Sequence, residues 1–133
     1  MISTTSSSTV DPAQVADRYA AVWSEPDDDR RRAAVAALWA DDAVEYVEGT
    51  QFREHDELVA RVAHAYAEFV GSGRFTVARA AEVSLHDQVL VLTIQLLGAD
   101  DGSLAWAARV FLVLDENGRI REDYQLTVQP LNA

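Results

Sequence analysis

Chemistry in this chain has to come from carboxylates, histidines, tyrosines or hydroxyls, because its 133 residues include no cysteine. That removes thiolate nucleophiles, disulfides and cysteine-based zinc sites together. The three histidines offer little. His55 opens a helix, His64 lies among Glu57, Arg61 and Glu68 on a charged helix face, and His86 occupies a turn. None stands at ligand spacing from another, so no metal site is expected. Ser/His/Asp catalysis lacks both a nucleophile elbow and an inward histidine. Two carboxylates and one phenol remain. Glu45 sits in a short β-type segment, Ala43 to Val47; Asp123 sits in a longer one, about Arg119 to Gln129; Tyr19 lies on the apolar stripe of the first helix. A carboxylate drawn into an apolar cavity raises its own pKa toward neutrality, the condition for a general acid or base. A phenol on a buried stripe can donate to an oxyanion while its ring packs.

Each of these residues has a plainer alternative. Arg121, Asp123, Gln125 and Thr127 share one strand parity, and Ile120, Tyr124, Leu126 and Val128 the other. An ordinary half-buried strand would put the polar set in water, and a bulge could turn it either way. Glu45 could be a rim carboxylate on a frayed edge strand, and Tyr19 ordinary core. Trp23, Trp106, Phe52 and Tyr66 supply either a flat aromatic wall for a cyclic ligand or simple packing. Arg109 falls on the outward parity of its strand and reads as an interface residue.

The elements that must position these groups are legible in the periodicity. Asp11 and Pro12 give an N-cap and a first-turn proline, and Val15, Tyr19, Val22 and Trp23 recur at helical spacing. Pro26 stops this helix; Asp27 to Asp29 lead a second, running to about Trp39 with Ala34, Val35 and Leu38 inward. A third helix is expected from about His55 to Val70, with Leu58, Val62, Ala65, Tyr66 and Phe69 as its buried stripe. After Gly73 the period changes to two, giving strands at about Arg74 to Leu85, Gln88 to Gly98, Ser103 to Leu114 and Arg119 to Gln129. Their short separators predict an antiparallel meander, and the lack of a crossover helix argues against parallel pairing. The middle strands are apolar on both faces, so the face away from the helices is expected to pack on a second copy as a homodimer through the convex sheet.

One domain fits this length, spanning Val10 to Pro130 after a Ser/Thr-rich tail, Met1 to Thr9, without signal-peptide character. The formal charge is −11, from 11 basic and 22 acidic residues, which repels phosphate backbones. The basic run Arg30 to Arg32 directly follows Asp27 to Asp29 and reads as a counter-charged pair of runs. No nucleic-acid or membrane partner is expected, and a cytoplasmic location follows by default.

The stretches Arg18-Tyr19-Ala20-Ala21-Val22-Trp23-Ser24-Glu25-Pro26-Asp27, Leu38-Trp39-Ala40-Asp41-Asp42-Ala43-Val44 and Leu114-Asp115-Glu116-Asn117-Gly118-Arg119-Ile120 carry a family signal. In element order and landmark spacing the chain resembles the nuclear transport factor 2-like superfamily, which includes ketosteroid isomerase and SnoaL-like polyketide cyclases. The resemblance implies an α+β fold, a cone-shaped curved antiparallel sheet closed by three N-terminal helices around a pocket. It also implies a small hydrophobic ligand and no cofactor. The isomerase's oxyanion tyrosine falls on Tyr19. Its general base falls on Val47 and its second oxyanion donor on Val110, so its mechanism as such is not expected and the two valines are expected to bind substrate as apolar pocket lining. By the same resemblance Glu45 points inward, and Asp123, Gln125 and Thr127 lie on the pocket face, with Asp123 or Glu45 as acid/base and Gln125 binding substrate. The expected function is a cofactor-independent isomerase or cyclase for a small hydrophobic carbonyl compound, with epoxide hydrolysis a subordinate version. The alternative is a non-catalytic binding or dimerisation module, because the fold hosts both.

Overall fold

Asp11 caps the first helix, α1 (Pro12–Ser24), accepting from the backbone N–H groups of Ala13 and Gln14. Asp27 likewise caps α2 (Asp28–Leu38). In this computed structural model, which describes residues 10–131, the expected tail Met1 to Thr9 lies outside the described residues. Arg31 is the inward member of the basic run: it bonds Asp28, Glu25 O and Pro26 O and lies 4.7 Å from the Tyr66 ring centroid.

Helix α2 gives way at Trp39 to β1 (Trp39–Val47), longer than the five residues expected. Arg119 pins this junction by donating to the Ala36 and Trp39 carbonyls. The turn Glu48-Gly49 returns the chain into β2 (Thr50–Arg53). Both turn residues have positive φ, 45° and 90°, as a two-residue hairpin with the right twist demands. Then follow α3 (Glu54–Ala65) with a π-helical extension over Tyr66–Val70, and β3 (Phe75–Arg79), β4 (Ser84–His86), β5 (Val89–Gly98), β6 (Leu104–Leu114) and β7 (Ile120–Gln129). The strand expected at Arg74 to Leu85 is two short ones, both paired with β5.

The sheet is open and mixed, in the order β2-β1-β7-β6-β5-β3, with β4 also on β5. Strands β5, β6 and β7 form the expected antiparallel run. The all-antiparallel expectation is corrected at one place: β1 pairs with β7 in parallel. A parallel neighbour needs a long return connection, and here everything from β2 to β6, α3 included, is that connection. Considering only consecutive strands hides it.

One face of the sheet and the inner stripes of all three helices share a single apolar cluster that includes Tyr19, Val35, Leu38, Trp39, Leu58 and Leu92. No helix among the described residues is long and apolar enough to cross a membrane.

Candidate active site

Three pairings bring the candidate residues together. In the parallel β1–β7 ladder Glu45 stands opposite Asp123, and Val47 opposite Gln125. A bulge in β7 sets their direction: Leu114 pairs with Ile120, but Val113 already pairs with Glu122, so Arg121 is the extra residue. Ile120 and Asp123 can both point inward, three residues apart, because that residue is inserted. From α1, Tyr19 and Trp23 lie one turn apart on one face and reach the same spot.

There the side chains form one hydrogen-bonded row. Tyr19 Oη donates to Asp123 Oδ2 at 2.9 Å. Gln125 Nε2 donates to Tyr19 Oη at 3.0 Å and to Glu45 Oε2 at 3.2 Å. Arg61, from α3, closes the row by donating Nε to Glu45 Oε1 at 3.1 Å. Asp123, Glu45 and Tyr19 are all fully buried. Asp123 Oδ1 and the indole nitrogens of Trp23 and Trp39 are buried without a hydrogen-bond partner, each at a cost of about 1–3 kcal/mol.

Beside the row lies an apolar cavity of about 270 Å³, near the lower end of small-molecule sites. Trp23, Trp106, Phe69, Val77, Ile94 and Leu96 form much of its wall, and Arg61, Gln125 and Thr127 its polar part. Of the residues expected to bind a ligand, Trp23, Trp106, Val47 and Gln125 do line it. Three do not. Phe52 borders a shallower groove on the far side of Arg61, with Glu57 and His64. Tyr66 is taken up under the Arg31 guanidinium. Val110 is fully buried, between Leu92 on β5 and Gln125 on β7. Glu45 and Asp123, expected as acid/base, and Tyr19, expected as oxyanion donor, stand one layer back from the wall, behind Gln125. Arg61, on the charged helix face with Glu57, His64 and Glu68, is partly buried against Glu45, and only the tertiary pairing reveals it.

No family model matches the chain, and no curated protein matches it in sequence. Solved structures do. An inferred isomerase of the SnoaL-like family from Agrobacterium tumefaciens str. C58 superposes with a TM-score of 0.78 at 22% identity, over 86% of this chain and 95% of that one. An inferred polyketide cyclase from Sinorhizobium meliloti does so with a TM-score of 0.63 at 15% identity, over 87% and 99%. A nuclear transport factor 2-like protein of unknown function from Exiguobacterium sp. 255-15 gives 0.61 at 15% identity, over 85% and 97%. The chain has the nuclear transport factor 2-like fold. At these identities the likeness is one of fold, and the reaction has to be argued from the site.

On this nuclear transport factor 2-like frame the electrostatics are lopsided. Burial, then the nearby Glu45 charge, pushes the Asp123 carboxyl well above the ordinary carboxylate range; the Tyr19 hydroxyl and the Arg61 charge oppose this only in part. Burial raises Glu45 as well, but Arg61 beside it pulls it back. Burial and the two carboxylates hold Tyr19 well above the usual phenol range, so it stays a donor. The Trp39 indole also favours ionised Asp123, although neither Trp39 Nε1 nor Asp123 Oδ1 reaches hydrogen-bond geometry. One guanidinium can balance one of two adjoining carboxylates. Glu45, in contact with it, is the member favoured to ionise, and Asp123 the member favoured to keep its proton. Among the described residues no group of three or more acidic or histidine side chains could hold a metal ion.

Proposed function

We propose that the chain is a cofactor-independent isomerase or cyclase acting on a small apolar carbonyl compound. One observation carries this reading: Gln125, on the cavity wall, is hydrogen-bonded to both Glu45 and Tyr19 behind it. A carbonyl oxygen at the polar end of the cavity would accept from the Gln125 amide or the Arg61 guanidinium, which polarises it. When Gln125 turns toward that oxygen, Glu45 loses one of its two donors and becomes the stronger base. It is then the group to take a proton α to the carbonyl. Glu45 then returns that proton to a different carbon of the enolate, so that the isomerisation ends with no net change in protonation.

Small cyclic and aryl ketones in heavy water, followed by proton NMR, provide the test. Exchange of the α-protons is expected with the unaltered protein, and Glu45→Gln is expected to slow it by about 10²-fold or more without weakening ketone binding. Equal exchange by Glu45→Gln would remove the mechanism.

The second reading is a binding module of the same fold. It is favoured by the sealing of Tyr19, Glu45 and Asp123 and by the apolar Val47 and Val110 where ketosteroid isomerase carries acids. Ketones that bind and never exchange would decide for it.

We also propose that two copies pair through the sheet face turned away from the cavity. That face carries Leu126 and Val128, 51% and 57% exposed, and the stacked pair Tyr46 and Tyr124 with ring centroids 4.7 Å apart.

A further inference from the structure

Arg61 is held firmly and used sparingly. Its Nε bonds Glu45, and its guanidinium carbon lies 5.0 Å from the Trp23 ring centroid and 5.4 Å from that of Phe52. An arginine carries five N–H donors in a rigid fork. The four on Nη1 and Nη2 meet no acceptor among the described residues. The side chain is 19% exposed and forms part of the cavity wall, where it is the only charged residue among those described. Its polar neighbours on the wall are already engaged: the Gln125 amide donates to Tyr19 and Glu45, and the Thr127 hydroxyl to Glu48.

An apolar cavity with one oriented, under-bonded guanidinium matches one kind of molecule. A neutral ligand would leave the fork unmatched, and a cation would be repelled. A doubly charged phosphate would crowd Glu45. A carboxylate is planar, singly charged and spaced to take two parallel N–H bonds. The acidic or proton-bearing groups near Arg61 are Glu45 on β1, Asp123 on β7, Tyr19 on α1 and, lining the second groove with it, Glu57 and His64 on α3. None of them lines the cavity, and Glu45 is the carboxylate in contact with Arg61.

We propose that the cavity takes a small apolar molecule bearing one carboxylate, seated on Nη1 and Nη2 of Arg61 with its apolar body against Trp23, Trp106, Ile94 and Leu96. This rests on the pocket reading above and narrows its carbonyl compound to one that also carries a carboxylate.

Trp23 and Trp106 provide the readout, since a ligand in the cavity alters their fluorescence. The probes are 3-phenylpropionate and 3-phenylpropionamide, which share shape and differ in charge. The unaltered protein is expected to bind the acid at least tenfold more tightly than the amide. Arg61→Gln should bring the two within twofold. Because that change leaves Glu45 without its partner, Arg61→Lys is measured beside it; it retains the charge, loses the fork, and should show an intermediate preference. Equal binding of acid and amide by the unaltered protein would overturn the proposal and leave the pocket reading standing. A preference that survives both substitutions would overturn it too, by placing the anion elsewhere. Binding of neither probe would overturn both.

Discussion

Asp123 and Glu45 are direct partners across the β1–β7 ladder, equally buried, yet Asp123 is pushed well above the ordinary carboxylate range while Glu45 is partly pulled back. The difference comes from Arg61, which touches Glu45 and not Asp123. A consequence follows for stability. The unfolded chain ionises Asp123 in the ordinary carboxylate range, and the folded chain only well above it. Between these limits the folded state binds more protons, so stability falls as pH rises through that window and stays low beyond it. Asp123→Asn keeps an acceptor for Tyr19 and removes the proton. Thermal melts should show it more stable than the unaltered protein above the window, with the gap closing as pH falls toward the ordinary carboxylate range. A gap that does not change with pH would contradict the assignment. At this scale the candidate acids and the tyrosine were legible from residue type and inward parity. Arg61 was not, because a charged residue spaced three or four positions from other charges looks the same whether its partner is solvent or a strand 16 residues earlier.

Strand β7 shows where parity reasoning stops. Its alternating polar and apolar sets suggest a polar face in water, but Asp123 and Gln125 are inside, and Leu126 and Val128 are outside. The inversion is set by the bulge at Arg121, and nothing in that residue's type announces a bulge. Deleting Arg121 would restore strict alternation and turn either Ile120 or the Asp123 set outward. The expected cost is about 3 kcal/mol, the loss of a buried isoleucine's packing, if Ile120 turns out, or loss of the raised Asp123 titration if the Asp123 set does. Urea unfolding and a carboxyl titration would check both parts; a deletion variant of unchanged stability would show that the bulge does not set the direction. The helices were easier to read, since the aspartate caps and Pro12 are local signals. The break between β3 and β4 and the early start of β1 were harder, because pairing with β5 and β7 decides them and propensity does not.

For the whole molecule, element order was enough to expect an α+β fold of the nuclear transport factor 2-like type, and the structural likenesses agree. The parallel contact between β1 and β7 was not foreseen, since it joins strands more than 70 residues apart, and it is this contact that assembles the site. The sheet face bearing Leu126, Val128, Tyr46 and Tyr124 is expected to join two copies despite the charge of −11. Size-exclusion chromatography with light scattering should give a dimer at micromolar concentration, and Leu126→Glu a monomer; a monomeric unaltered protein would contradict the pairing. Behind Gln125, burial pushes the Asp123 carboxyl well above the ordinary carboxylate range, and this can be measured directly. Carbon-13 NMR of the side-chain carboxyls, assigned by comparison with Asp123→Asn, should show Asp123 still protonated at pH 7 and titrating far above the surface carboxylates. An Asp123 that titrates together with them would mean that the site is open to water and that no proton is stored there.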